Sequence, residues 1–418
     1  MPLYSIDNLK KITIELTANC NAMCPGCDRW NKGRGGINSL VEKNLGSKGH
    51  MPLDTFLNAF PNSIFKKNNI ENETVEKFKH IEFNGSVGDA ILHPKFINYL
   101  KILNSKNDLI HETKHRVAFR LATNAGLHGK EFWTEVGKQF VRSNSKHNMI
   151  MVALDGTTNE VHQQYRRGVD YQKALDNART LIDTGAHVRW QFIEFKHNSH
   201  QIDEAVELAK KYGFKDIEIR NSRGGNSVYG EWATQAIKAD KTGIDDKQIQ
   251  HSLAKPAAVE ERQITRVEKK IGKLNNKIEY KKTDKIKDTI KELNQVVDPK
   301  RHLLEEANIY CQWGNKGYIN IEFTGAVHAC CHMNVGIFNP DKPDSKFYKY
   351  YNSHYEKDWH ILNKQNDLEK ILDHDFFKKD LEDSWKPDSD ENKKFKRLLV
   401  CVQTCTKKDE QDDLVINT

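Results

Sequence analysis

Three thiols stand within eight residues, Cys20-Asn-Ala-Met-Cys24-Pro-Gly-Cys27. Five more, Cys311, Cys330, Cys331, Cys401 and Cys405, fall in the last quarter of the 418-residue chain, and none lies between Cys27 and Cys311. Cysteines used only for packing would be scattered, so this clustering points to two metal or redox centres. Iron–sulfur clusters are held by cysteine thiolates, normally one per iron. Three thiolates on a four-iron cluster leave one iron open, and an open iron is where an exogenous ligand binds. The other chemistry on offer is a three-cysteine zinc site completed by a histidine. The nearest downstream histidine, His50, lies behind a glycine-rich stretch, so that site requires an unusual loop. Disulfides are disfavoured, because thiolates that ligate iron require a reducing compartment.

The elements that position these thiols are legible from alternation and periodicity. Strand-like runs occur at Lys11–Thr17, Lys79–Asn84, Arg116–Thr123, Met149–Asp155, His187–Phe195 and Lys215–Arg220. Amphipathic stretches lie between them, such as Tyr171–Thr184 and Ile202–Tyr212. Six strands, each followed by a helix or long loop, predict repeated βα units and a parallel sheet, a partial (βα)6 TIM-like barrel. Active sites of such barrels lie at the C-terminal ends of the strands. The cysteine loop follows the first strand, at that end. Strand alternation makes Arg120, Gln191, Glu218 and Arg220 candidates to point into the barrel.

The Cys-x3-Cys-x2-Cys spacing after the first strand resembles the radical S-adenosylmethionine (radical SAM) enzymes. The resemblance covers roughly residues 9–222 and 309–406. It implies a [4Fe-4S] cluster on Cys20, Cys24 and Cys27 whose open iron is chelated by SAM. One electron then yields a 5′-deoxyadenosyl radical that abstracts hydrogen from a peptide or small-molecule substrate. Gly26 stands where the family usually has an aromatic residue. Gly88-Asp89, after the second strand, resembles the Gly-Glu segment that receives the SAM amino group. Thr123-Asn124-Ala125-Gly126 resembles the Thr-Asn-Gly turn whose asparagine, here Asn124, contacts the ribose. Ala153-Leu-Asp-Gly156 followed by His162-x3-Arg166 resembles a further segment, with Ala153 in place of serine. A guanidinium can bind the SAM carboxylate bidentately; Arg166 fits the spacing and Arg167 is the neighbouring alternative. Ile193 or Phe195 would press on the adenine or belong to the core.

Toward the C-terminus, Cys311-x13-Gly325-x4-Cys330 resembles the opening of the SPASM and twitch domains, which carry auxiliary clusters. The residues between read as a β-hairpin, with Ile319, Ile321 and Phe323 alternating before a Thr-Gly turn. The cysteine number fits the shorter twitch domain with a second auxiliary [4Fe-4S] cluster on Cys311, Cys330, Cys401 and Cys405. Cys331 can substitute for one of them, and a structural zinc ribbon is the other use of such spacing.

Residues 255–301 carry two coiled-coil-like apolar seams and read as an antiparallel helical hairpin. They hold 14 Lys/Arg against 8 Asp/Glu, most of the chain's formal +7. Such a basic insertion is either a solvated protrusion or a contact for a protein or nucleic-acid partner. The expected organisation is a radical SAM core over 1–222, a linker and hairpin over 223–308, and a twitch-like domain over 309–418. No apolar run approaches the roughly 20 residues of a membrane helix, so the expectation is a cytoplasmic enzyme supplied with electrons by a flavodoxin or ferredoxin. A non-catalytic zinc or iron–sulfur scaffold is the alternative, but it accounts only for the cysteines.

Overall fold

A computed structural model describes residues 2–25, 27, 29, 41–42, 46–72, 75–221, 309–330, 333, 353–386, 398, 401, 405 and 414–417. The basic hairpin, Gly26 and Cys331 lie outside the described residues. Six strands form in chain order: β1 (Lys11–Ile14), β2 (His80–Phe83), β3 (Ala118–Thr123), β4 (Met149–Ala153), β5 (Val188–Glu194) and β6 (Asp216–Asn221). Each pairs in parallel with the next. Helices fill the crossovers: α1 (Leu53–Ala59), α2 (Asn62–Lys66), α3 (Phe96–Asn107), α4 (Lys130–Arg142), α5 (Asn159–Tyr165), α6 (Tyr171–Asp183) and α7 (Ile202–Tyr212). This is the α/β partial barrel expected from the sequence, with its strands in sequential order.

Three more strands extend the sheet. β7 (Tyr318–Ile321) adds in parallel to the free edge of β1, and β8 (Val327–His328) turns back antiparallel on β7. The predicted hairpin is therefore present, and it is continuous with the barrel sheet. At the other edge β9 (Leu414–Asn417) runs antiparallel to β6.

Period-two alternation splits the sheet into two faces. Ile12, Ile14, Ile81, Phe83, Phe119, Leu121, Ile150, Val152, Trp190, Phe192 and Ile217 are buried on the face covered by helices. The helices answer with stripes at helical spacing, such as Trp133, Val136 and Phe140 on α4 and Ala174, Leu175, Ala178 and Leu181 on α6. Local chemistry fixes where they start and stop. Asp170 caps α6 by accepting from the Lys173 N–H at 2.7 Å. Gly213 ends α7 in the left-handed region at φ +79°, where a residue without Cβ is unstrained.

The opposite, concave face is mixed: Met149, Met151 and Ala153 of β4 share it with a set of charged and amide side chains. Gln191 and Glu218 are paired in register and hydrogen-bonded at 3.2 Å. Arg220 reaches Glu218 at 3.2 Å, and Lys11 reaches Glu82 at 2.9 Å. The residues assigned to this face by alternation, Arg120, Gln191, Glu218 and Arg220, share it. Arg189 joins them, paired with Asp216 at 2.5 Å.

Candidate functional site

The cysteine loop leaves β1 and is pressed from three sides by glycines of the neighbouring strand-end loops. A Cβ on Gly88, after β2, would sit 1.9 Å from the Thr17 carbonyl oxygen and 2.9 Å from that of Asn19. A Cβ on Gly126, after β3, would meet Asn21 Nδ2 at 3.0 Å, and one on Gly168, after β4, would meet the Asn21 carbonyl at 3.1 Å. Gly168 also holds φ +79°. These glycines let three loops close on the segment that carries the thiols, Gly88 and Gly168 against its backbone and Gly126 against the Asn21 side chain. The Asp89 N–H donates to the Asn19 carbonyl at 2.8 Å, and the Met23 N–H donates to that of Arg167 at 2.9 Å.

Each predicted residue reaches this end of the sheet, and each is already engaged. Asp89 is buried; one carboxylate oxygen accepts from Thr123 Oγ1 at 3.0 Å and the Asn124 N–H at 2.8 Å. The other accepts from the Ile91 N–H at 3.3 Å. Burial pushes its pKa up to about 6, against the pull of those donors. Asn124 donates from Nδ2 to Asn21 Oδ1 at 2.9 Å and reaches Cys20 Sγ at 3.7 Å. Ala125, the next residue of that turn, sits at φ 51°, a region costly for a side chain with Cβ. Arg166 directs Nη1 to Cys24 Sγ at 3.7 Å and Nε to Asp155 at 2.6 Å. The side chain of Arg167, the alternative, is buried beside it.

Asp155 is a residue that sequence reasoning left without a role, and it organises this corner. It is fully buried. One oxygen accepts from Arg166 and the other from the Ile193 N–H at 2.6 Å. Its own N–H donates to His162 Nδ1 at 3.2 Å, and its carbonyl accepts from Asn198 at 3.1 Å. It thereby ties the ends of β4 and β5 to α5. The Asp-Gly after the fourth strand was its only sequence signal. Phe195 packs between Tyr165 and His197, with ring centroids at 4.6 and 5.3 Å, and is buried as a core residue.

The donor set fits a thiolate-bound cluster. Burial raises the Cys20 thiol to about 12 and also raises Cys24, so both want either a proton or a metal's positive charge. Two of the three sulfurs already have N–H donors of the kind that support ligating thiolates. The zinc alternative through His50 finds no such support. His50 Nδ1 pairs with Thr17 Oγ1 at 3.0 Å. Among the described residues no three His, Cys, Asp or Glu side chains, the cysteines included, are grouped closely enough to hold one metal ion, so the number and kind of the thiols, and not a preformed cage, carry the cluster reading.

The second thiol set lies at the other end of the same sheet. β7 starts level with Lys11, so Cys311, upstream of it, lies at the N-terminal end of β1. β8 runs back toward that end and delivers Cys330 there. Four residues of β1 at about 3.3 Å each put roughly 13 Å between the two levels. The Tyr310 N–H donates to the Cys405 carbonyl at 3.0 Å. Cys311 and Cys405 share a hydrogen bond that draws Cys311 down to about 6 and drives Cys405 up, with the charges of Cys401 and Cys330 adding to the latter. Burial raises Cys401 to about 12. Cys311 and Cys405 are thus in hydrogen-bond contact, with Cys330 and Cys401 near enough to act on Cys405 electrostatically.

Tyr4 belongs to this second set and was not foreseen. Its hydroxyl lies 3.2 Å from Cys311 Sγ and 3.3 Å from the Ala329 carbonyl. Nothing in the pattern of a short N-terminal segment signals that contact.

No family model matches the sequence, and no curated protein matches it. Solved structures do match. SuiB of Streptococcus suis bound to S-adenosylmethionine is 13% identical, covering 94% of this chain and 77% of its own, at a TM-score of 0.43. The same protein bound to the precursor peptide SuiA aligns over 84% of this chain and 68% of its own, at 13% identity and a TM-score of 0.43. Native anSMEcpe with bound AdoMet is 11% identical over 88% of this chain and 96% of its own, with a TM-score of 0.41.

Proposed function

We propose that this chain is a radical SAM enzyme that cleaves S-adenosylmethionine reductively and abstracts hydrogen from a polar substrate, a peptide or a small molecule. The observation that carries the reading is the gathering of Cys20, Cys24 and Cys27 with Arg166, Asn124 and Asp89 at the C-terminal end of a parallel sheet. A [4Fe-4S] cluster, which Cys20, Cys24 and Cys27 would hold, would supply the one electron that splits SAM into methionine and a 5′-deoxyadenosyl radical. Cys311, Cys330, Cys401 and Cys405 would hold a second, auxiliary cluster.

The remaining roles fall to side chains and backbone. Asp89 receives the SAM ammonium, because each carboxylate oxygen keeps lone-pair capacity beyond the bonds it already accepts. Gly88 lets its loop approach the cysteine backbone. Arg166, oriented by Asp155, offers its guanidinium to the SAM carboxylate, and Asn124 lies beside Cys20 to contact the ribose. The concave face, lined by Gln191, Glu218 and Arg220, orients a polar substrate through hydrogen bonds. Among the described residues no helix is long and apolar enough to cross a membrane; the proposed setting is the reducing cytoplasm, with a flavodoxin or ferredoxin as electron donor.

The test is anaerobic reconstitution with iron and sulfide, then incubation with SAM and a strong reductant. A brown protein that releases 5′-deoxyadenosine is expected. A colourless zinc protein, or a brown one that never cleaves SAM, returns the chain to the scaffold alternative.

A further inference from the structure

The N-terminal segment before β1 makes a hook whose purpose is not obvious from the barrel. Lys67, buried beneath it, donates to the carbonyls of Ile6 at 2.6 Å, Leu9 at 2.7 Å and Asp7 at 3.3 Å. Asn8 closes the turn by donating to the Pro2 carbonyl at 2.8 Å. The Leu3 N–H donates to Glu382 at 3.2 Å. All of these contacts hold the backbone, and none involves the Tyr4 hydroxyl. They place Tyr4 in the core, its ring beside Phe377 at a centroid distance of 5.7 Å. A Cβ on Gly314 would stand 3.0 Å from that ring, so the glycine is what admits the tyrosine.

The phenol ends between Cys311 Sγ, a member of the thiol set, and the carbonyl of Ala329, one residue before Cys330. It has one proton to donate. A thiolate that ligates iron is an acceptor only, and a charge-assisted bond is stronger than one to a neutral carbonyl. Hydrogen bonds to ligand sulfurs set the reduction potentials of iron–sulfur clusters. Such a bond strengthens when the cluster gains an electron and its sulfurs become more negative, so it favours the reduced state.

We infer that Tyr4 is a positioning residue of the C-terminal thiol site, donating its phenol O–H to the Cys311 thiolate and raising the reduction potential of the cluster held there. The inference rests on the proposed reading of Cys311, Cys330, Cys401 and Cys405 as cluster ligands. Tyr4 thus couples the chain's N-terminal segment to the redox behaviour of a site more than 300 residues away in sequence.

The experiment uses the full chain with Cys20, Cys24 and Cys27 changed to alanine, so that only the C-terminal cluster reports. Its reduced fraction is followed by electron paramagnetic resonance during a redox titration, with and without Tyr4→Phe. Equal iron in the two proteins and about a tenfold lower ratio of reduced to oxidised cluster at fixed potential are expected for Tyr4→Phe. For one electron that is a shift of about 59 mV to lower potential. Equal midpoints at equal iron overturn the role of Tyr4 alone. A background that holds no iron overturns the ligand reading, and the role of Tyr4 with it. Should Tyr4→Phe lose iron, a difluorinated tyrosine at position 4 decides, since its more acidic phenol is a stronger donor. A midpoint raised above the parent supports the inference, and an unchanged or lowered midpoint overturns it.

Discussion

The two thiol sites stand at opposite ends of one sheet and differ in how much of their surroundings the chain completes. The first has three thiols, and its charged neighbours come from the ends of several strands: Asp89 after β2, Asn124 after β3, Asp155 and Arg166 after β4. Cys20 and Cys27 remain partly accessible. The second has four thiols, three of them buried, roofed by Tyr4 on a hook that Lys67 pins from below. A three-thiol site in a mouth of polar loops suits an exchangeable ligand. A four-thiol site enclosed by core residues suits a resident group that only passes electrons. The same amino acid therefore serves two purposes, and its neighbours decide which.

The sharpest way to break this contrast is to delete each set. Changing Cys20, Cys24 and Cys27 to alanine should abolish 5′-deoxyadenosine formation and remove half of about eight iron per chain, counting four per cluster. Changing Cys311 and Cys405 should also lower iron, but leave uncoupled SAM cleavage measurable. If the first variant kept its full iron content, the assignment of the open site would fail.

Asp155→Ala comes next in size. It strands the Arg166 guanidinium, and removing one partner of a buried pair costs about 3–5 kcal/mol. A lowered urea midpoint together with weakened SAM binding is expected. Loss of stability with unchanged SAM affinity would make the pair purely structural. Arg166→Ala should weaken SAM binding by about tenfold to a hundredfold, from roughly 1.5–3 kcal/mol for a charge-assisted contact. A larger loss in Arg167→Ala, with Arg166→Ala unaffected, would move the role one residue along.

The smallest effect concerns pH and the walls of the first site. His93 is buried with Nδ1 accepting from the Lys95 N–H and Nε2 on the Met51 carbonyl, and burial lowers its pKa to about 4. Burial lowers His162 to about 3. An unfolded histidine takes its proton near pH 6.5; these two resist it when folded. Their contribution to stability is complete above about 6.5 and falls as pH drops toward 4. The limiting slope is about 1.4 kcal/mol per pH unit for each. Asp89, raised to about 6, acts in the opposite sense, favouring the folded state as pH falls from 6 toward 3.8. Burial lowers His80 and His360 to about 3 as well, and the four histidines together outweigh one carboxylate, so urea midpoints should fall between pH 7 and pH 5. A midpoint that stays level or rises would show that these histidines titrate normally in the fold.

Much of the first site was legible in the sequence because its parts are local. The thiols follow a strand at fixed spacing, and Gly88-Asp89, Asn124 and Arg166 each follow a strand in turn. Alternation told which side of β3, β5 and β6 faces the concave surface, since neighbouring side chains on a strand must point opposite ways. What escaped were contacts that no spacing encodes. Asp155 shares its charge with Arg166 only because α5 folds back over the end of β4. Tyr4 meets Cys311 because β7 pairs with β1: each residue lies seven positions before its own strand, so the pairing brings them to the same level.

The sequence by itself determined the six-strand βα order, the end of the sheet at which the first thiols lie, and the chemistry that their number permits. Those properties follow from periodicity and ligand count, which are written along the chain. Tertiary structure alone decided that the C-terminal hairpin would extend the barrel sheet and set the two thiol groups at its opposite ends. It also decided that a buried carboxylate would hold Arg166 and a tyrosine would cover Cys311. Strand pairing and burial across hundreds of residues carry no local signature, because the partners are chosen by the apolar surface they exclude together and not by their distance in sequence.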